Sequence, residues 1–574
     1  MIRIDKIIVS LVLPALLTFM FFTSGCGGTP PTPSSHSSSV NGTTAPVSNV
    51  PVYGGVYRRA FPSPVLTLDP RSIGDSFSHE VCRQMFDGLV EFDPDAHVVP
   101  AIAESWQISS DRLTYTMKLR SGVRFHAIHG SDGRPTKNGG RLVTAEDVSH
   151  TFHRLLNPQD HIPRSRLFWV IRGARAFAEG SAPDITGIKV LASDSLAISL
   201  EKPFAPFLSL LALPAAFIVP KEDAENPDFG TDPVGTGPFL WGGKQAETMV
   251  LKANPNYFRG KPYLDRIDFL LIKEEKDSFA MFKRGELMQT NVPDPEYKNI
   301  KSDPYWSALL QETSRWGTYY LGMNVTKPPF DNVKVRQAIN FAIDRETIVK
   351  LILNDRARVA RGVLPPGIMG YNPALRGYTY DPERAKRLLA EAGYPGGKGF
   401  PEISLQFNRD PSHTRSSEYI LANLRDIGIT CLLKEVEFPE HIKAVENGDV
   451  GFFRMGWTVD YPDPDNFLYT LFYSGNIGRE GNFAHYSNPK VDELVDRARF
   501  EIDPKERIPL YQRAEQMIVE EAPWVFIYHY TLHILPQANV RGLRLTPMGA
   551  PFILYRQIWL APQNQPQDTP STSR

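Results

Sequence analysis

Only three cysteines occur in 574 residues, too few for a disulfide framework. Neither sign of charge is in excess. The 63 Lys and Arg stand against 64 Asp and Glu, so nothing points to nucleic acid, whose binding domains carry a basic face. The apolar run Ile7–Phe22, interrupted by Pro14, is sixteen residues long, short of the ~20 that cross a bilayer as a helix. Enzyme signatures are missing too. The glycines Gly235 and Gly237 are followed by no Gly-Lys-Ser/Thr, so the phosphate-loop reading fails. His79-Glu80 is followed by Arg83 where a zinc-protease helix needs a second histidine, and no Gly-x-Ser-x-Gly elbow is found.

What is there begins with an address. Arg3 and Lys6 precede the apolar run, which ends Thr23-Ser24-Gly25-Cys26. This reads as a signal peptide over residues 1–25. The small residues before Cys26 resemble a bacterial lipobox, in which that cysteine carries lipid after cleavage, although Thr23 replaces the usual Leu. Gly27 to Asn49 is almost wholly Gly, Ser, Thr, Pro and Asn, a composition that cannot bury a core. As a disordered tether it would reach roughly 25 Å. The expected product is a lipid-anchored protein that works in water.

The body is globular, rich in aromatics and proline, and too long for one core, since single cores rarely exceed ~250–300 residues. From Thr318 the pattern becomes an α/β alternation. Ile403–Asn408, Ile429–Val436 and Val450–Gly456 read as strands, with helices at Arg415–Ile427 and Pro439–Glu446 between them. This β-α-β-α-β unit implies parallel strands with a shared carboxyl edge, where open α/β sheets bind ligands. Arg409 follows the first strand and Asp460 the third, so a guanidinium and a carboxylate are expected along one rim. The third strand runs into Gly456-Trp457-Thr458-Val459-Asp460-Tyr461, an acid between aromatics. That arrangement suits a cationic group on an apolar body better than a reaction centre.

A second constellation is His126-x-x-His129 with His150-x-x-His153, which brackets a glycine-rich loop. Four imidazoles suit a transition metal. No acid or cysteine completes a known pattern, and His150 and His153 fall on the solvent face of a helix that starts at Thr144. The preferred reading has no metal and no cofactor.

An ordered series of motifs identifies a family. It includes Leu68-Asp69-Pro70, Phe86-Asp87-Gly88-Leu89, Pro100-Ala101-Ile102-Ala103-Glu104-Ser105-Trp106 and Leu142-Val143-Thr144-Ala145-Glu146-Asp147-Val148. Asn254-Pro255-Asn256-Tyr257, Val335-Arg336-Gln337-Ala338-Ile339 and Tyr380-Asp381-Pro382-Glu383 follow in order. From about Val52 to Trp559 the sequence resembles the solute-binding proteins that feed bacterial ABC importers of dipeptides, oligopeptides and nickel.

The resemblance implies an α/β, two-lobed periplasmic-binding-protein-like fold with a hinge and a smaller third domain. Lobe I would comprise 50–86, 200–317 and 531–562, the extra domain 87–199, and lobe II 318–530, with a disordered tail at 563–574. Cys82 and Cys431 would then lie in different lobes, where a disulfide would lock the hinge; buried free thiols are the alternative. In peptide-binding members the acid of the Gly-Trp-x-x-Asp motif holds the peptide's ammonium, which here is Asp460. The backbone of Gly456, Trp457 and Thr458 would pair with the peptide, with Tyr461 beside it. Arg409 is the candidate for the peptide carboxylate.

The implied function is the peptide-capturing component of an ABC importer, monomeric, not an enzyme, and partnered by a permease and ATPase at the outer face of the cytoplasmic membrane or in the periplasm. Other solutes (nickel chelate, haem, opine, oligosaccharide) and a peptide-sensing receptor are the alternatives, with a metallohydrolase the remaining one. The loop 130–141, longer than its counterparts, would sit away from the cleft.

Overall fold

The computed structural model describes residues 50–160, 162 and 165–562. The expected signal peptide, Cys26, the expected tether and the tail from residue 563 lie outside the described residues. Among those described, no helix is long and apolar enough to cross a membrane.

Eleven strands form one mixed sheet. Its centre is a pair of antiparallel strands, Gln311–Met323 and Trp524–Pro536, each of thirteen residues. Their apolar halves, Tyr319–Met323 and Trp524–Tyr528, are buried, while Gln311–Ser314 and Tyr530–Leu532 are only partly so or exposed. On one side the sheet continues through Phe452–Thr458, Ile403–Asn408 and Cys431–Val436. On the other it continues through Gln289–Asn291, Val56–Phe61, Arg266–Leu271, Thr248–Ala253 and Phe239–Gln245. The short strand Ala357–Val359 pairs with Trp524–Pro536. The register between the two long strands shifts between Ser314 and Thr318, so Arg315, Trp316 and Gly317 form an irregularity where the two wings meet.

The expected β-α-β-α-β unit is present. Ile403–Asn408 runs parallel to both Cys431–Val436 and Phe452–Thr458. The intervening helices are Pro411–Asp426 and Phe438–Glu446. Ile420 and Leu424 of the first are fully buried against Leu405 and Phe452, each contributing roughly 1.5–3 kcal/mol by burial.

A separate antiparallel sheet takes the order Ala103–Ile108, Thr114–Leu119, Ser195–Ser199, Ile188–Ala192. Helix Ala145–Leu155 packs on it, opened by a reciprocal capping box between Thr144 and Asp147. Its apolar core, with Met117, Phe152 and Ile198, is continuous with a cluster holding Phe467, Phe472 and Tyr511. Arg499, on helix Pro489–Phe500, lies 5.2 Å from the Phe204 ring centroid at that seam.

The loop 130–141 is a strap. Asp223 accepts from the amides of Lys137 and Asn138, Lys252 Nζ donates to Gly130 O, and Arg134 pairs with Asp232. Both remaining thiols are free and buried; Cys82 Sγ donates to Leu68 O at 3.3 Å.

Candidate functional site

Phe452–Thr458 is a buried strand whose alternate residues face opposite ways. Phe453 and Met455 enter the core, while Arg454 and Gly456 face the other side. Its register against the central strand sets Gly456 opposite Tyr319, Trp457 opposite Thr318 and Thr458 opposite Gly317. Pairing then continues past the strand end, because Val459 N donates to Trp316 O at 2.9 Å. The loop that follows is therefore set down directly beside the irregular segment of the central strand.

Asn466 shapes the loop. Its Oδ1 accepts from Asp460 N at 2.9 Å and from Trp457 Nε1 at 3.2 Å, and its Nδ2 donates to Asp460 Oδ2 at 3.4 Å. Underneath lies a buried ionic base. Arg507 grips Asp463 with two bonds of 2.7 Å, and Arg499 Nε donates to Asp465 at 2.8 Å. Burial works against the charge on Arg499 and Arg507, but Asp465 and Asp463 outweigh it, so both guanidinium groups titrate above their ordinary value.

The site residues expected from sequence separate into three groups. Gly456, Trp457, Thr458 and Asp460 stand together on the strand end and loop, each partly buried. Tyr461 differs from expectation: it is fully buried and its hydroxyl donates to Asp465 at 2.8 Å. It braces the loop from below and turns no surface outward, because the chain reverses there to enter helix Asp465–Phe472. Arg409 does sit at the carboxyl rim, but it is 66% exposed along its side chain and carries Glu435 and Glu437 at 3.0 and 3.2 Å.

Sequence reading passed over Arg454. Its guanidinium lies 4.4 Å from the Tyr319 ring centroid, its Nη1 donates to Asn408 Oδ1 at 3.0 Å, and its enclosed Nε has no hydrogen-bond partner among the described residues. Burial and then the Arg454 charge hold the neighbouring His413 well below the ordinary imidazole range. The signal was an arginine inside an otherwise apolar strand, Gly451-Phe452-Phe453-Arg454-Met455-Gly456.

The four histidines each have their own surroundings. His126 is buried with Nε2 at 3.0 Å from Gly237 O, and burial pushes its pKa down to about 4. His129 faces Asp232, and His153 faces Asp184 and Ser149 O. His150 lines a cavity of about 400 Å³ with Asp69, Arg71, Arg154 and Phe229, which includes no residue of the Asp460 loop. Among the described residues no group of three or more His, Cys, Asp or Glu is gathered for a metal.

The comparisons agree with this architecture. Residues 97–479 match the model of the bacterial extracellular solute-binding proteins, family 5 middle. The dipeptide-binding protein of Escherichia coli is 32% identical over 81% of this chain and 87% of its own. Heme-binding protein A of Haemophilus influenzae is also 32% identical, over 85% and 88%. Among solved structures, the periplasmic binding protein DppA of Helicobacter pylori in complex with the peptide STSA superposes with a TM-score of 0.77 at 27% identity, covering 89% of this chain and 99% of that one. The dipeptide-binding protein of Pseudoalteromonas sp. SM9913 with Met-Leu gives 0.76 at 26%, covering 88% and 100%. The chain belongs to the bacterial extracellular solute-binding proteins of family 5.

Proposed function

We propose that this protein captures peptides outside the cytoplasmic membrane and hands them, unaltered, to the permease and ATPase of an ABC importer. The observation that carries this reading is the Asp460 loop. A carboxylate stands at the carboxyl rim of a parallel β unit, oriented by Asn466 and backed by two buried ion pairs. In the proposal Asp460 holds the peptide's ammonium, and the backbone of residues 456–458 and the Trp457 ring flank the extended chain, a mode that tolerates varied side chains.

Arg454 is our preferred partner for the peptide carboxylate. Its Nε has no hydrogen-bond partner among the described residues, whereas Arg409 already carries two glutamates. A partly buried guanidinium with donors to spare gains most from an incoming carboxylate.

We divide the described body as the family resemblance suggests, into two lobes that close over the ligand and an extra domain, the crossing strands serving as hinge. We further propose that the chain is a monomer anchored by lipid on Cys26. Haem as the solute is the second reading, favoured by a haem-binding relative as similar as the dipeptide-binding one.

The test is a thermal-shift screen of ligand-free protein against pooled dipeptides, tripeptides and longer peptides, each pool repeated with acetylated N-termini, and against haem. A ligand at about a hundred times its dissociation constant adds ~2.7 kcal/mol of stability. Stabilisation by free but not by acetylated peptides is expected, with the bound peptide recovered intact by mass spectrometry. Stabilisation by haem alone would overturn the peptide reading.

A further inference from the structure

Arg315 occupies an unusual position. It lies in the irregular segment of the central strand, between Ser314 and Thr318, where the register slips. The next residue, Trp316, is held from both sides: its carbonyl accepts from Val459 N at 2.9 Å, and its amide donates to Pro547 O at 2.7 Å. Arg315 is thereby fixed one residue from the partner of Val459, as Asp460 is on the other strand. The two charged residues are neighbours across the end of the ladder.

No ion pair between these two residues is found among the described residues. Arg315 is partly buried, and no ion pair to a carboxylate or hydrogen bond is found for its side chain among the described residues. Its Nε is enclosed without a partner. Its guanidinium lies 5.9 Å from the Tyr530 ring centroid, and a Cβ built on Gly549 would come within 3.0 Å of its Nε. Burial lowers its affinity for the proton and Tyr530 alone opposes this.

A desolvated guanidinium bonded to no acid is costly. Other buried arginines of this chain are compensated, Arg507 by Asp463 and Arg499 by Asp465, and Arg83, Arg336 and Arg345 by main-chain carbonyls. Tyr530 ties Arg315 to the site, since its hydroxyl lies 2.2 Å from where a Cβ on Gly456 would stand, and Arg454 Nη2 lies 3.6 Å from that same point. Two guanidinium groups with unbonded Nε atoms therefore flank Tyr530 near Gly456, in the strand that leads into the Asp460 loop. Asp410 is the further acid near Arg454, and it is engaged in capping helix Pro411–Asp426 through Ser412 N and Oγ.

We propose that Arg315 is a second anion-holding group of this site and selects peptides whose first residue carries a side-chain carboxylate. The inference rests on the peptide reading above. Asp460 takes the ammonium, Arg454 the terminal carboxylate, and Arg315, next to Asp460, the acid on the side chain nearest that ammonium. A ligand with one ammonium and two carboxylates supplies the charge that the two guanidinium groups lack. A bidentate guanidinium–carboxylate pair is directional and strong, so the preference should be for the acid over its amide and not merely for negative charge.

The experiment is calorimetric titration of unliganded protein with Asp-Ala against Asn-Ala, two ligands of nearly the same shape, and with Ala-Asp against Ala-Asn as the positional control. At least a tenfold preference for Asp-Ala over Asn-Ala is expected, with little difference in the second pair. In Arg315→Gln the first ratio should fall to near one, and Arg315→Lys should restore part of it. The wild-type ratio needs no variant, so misfolding cannot hide the answer. Equal affinity for Asp-Ala and Asn-Ala, or a preference that survives Arg315→Gln, overturns the assignment while leaving the peptide reading in place. Binding of N-acetylated Asp-Ala as tightly as Asp-Ala would instead remove the ammonium model, and the present inference with it.

Discussion

Val459 donates its amide to the carbonyl of Trp316 at 2.9 Å. This one main-chain bond joins the loop carrying Asp460 to the irregular segment of the strand that crosses the sheet. Side-chain substitutions leave it intact, so the spacing between the two segments is set by backbone, and variants around it report on chemistry more than on misplacement.

Asp460→Ala should weaken peptides with a free amine by at least about tenfold, the lower end of the ~2–5 kcal/mol lost when one member of a desolvated charge pair is removed. Peptides already acetylated should bind the variant and the parent alike. Isothermal titration of both ligand sets checks this, and an unaffected affinity for free peptides would sink the role given to Asp460.

Asn466→Ala removes the acceptor shared by Asp460 N and Trp457 Nε1. Leaving such groups short of a partner costs about 1–3 kcal/mol. The loss should appear mainly as weaker binding, through a carboxylate no longer aimed, and only secondarily as a lower melting temperature.

Gly456→Ala sets a methyl group 2.2 Å from the Tyr530 hydroxyl, an overlap that must be relieved by movement. Overpacking of this kind costs typically 1–3 kcal/mol. Tyr530→Phe should recover part of the loss, giving a double-mutant cycle with a coupling of about 1 kcal/mol in urea denaturation. An additive result would mean that the tyrosine moves away freely.

Arg507→Ala leaves the Asp463 carboxylate buried with its bidentate partner gone. Breaking a buried pair from one side typically costs about 3–5 kcal/mol. The urea midpoint should drop sharply, and more than in the double variant Arg507→Met with Asp463→Leu, which removes the charge along with its partner.

Glu515 gives a pH dependence. Burial pushes its pKa up to about 7, with the amides of Val363 and Leu364 pulling against it. The folded protein therefore holds a proton that the unfolded chain releases near its ordinary value. The stabilisation is complete below about pH 4.5 and is lost as pH climbs through about 7, in total of the order of 3 kcal/mol. Glu515→Gln should flatten this part of the melting-temperature profile between pH 5 and 8. A parallel slope in the variant would assign the effect to another group.

The β-α-β-α-β unit was legible because its strands are short apolar runs and its helices carry clean apolar faces, such as Ile420 and Leu424. The two long crossing strands were only half visible. Their inner halves, Tyr319–Met323 and Trp524–Tyr528, read as core, whereas Gln311–Ser314 and Thr531–His533 are largely polar and are tied into the ladder by backbone pairing and by the His533–Glu312 contact across it. Asp460 could be found from its motif. Arg409 was put forward because rim position is a matter of topology, but topology does not say which acids are near, and Glu435 and Glu437 are supplied by the neighbouring strand. Arg454 and Arg315 needed the third dimension, because a buried Nε left without a hydrogen-bond partner among the described residues is not written in a sequence.

The crossing strands also say how this molecule can flex. As the proposed hinge, a pair of ribbons passing without a break from one wing of the sheet to the other would act as a leaf spring, not as a pinned joint. Bending of this proposed hinge would concentrate where the ladder between the two strands skips, at Arg315, Trp316 and Gly317, with the main-chain bonds of Trp316 to Val459 and Pro547 supplying the elastic resistance. The bend would then lie next to the cargo, so that whatever fills the space beside Arg315 also stiffens the spring.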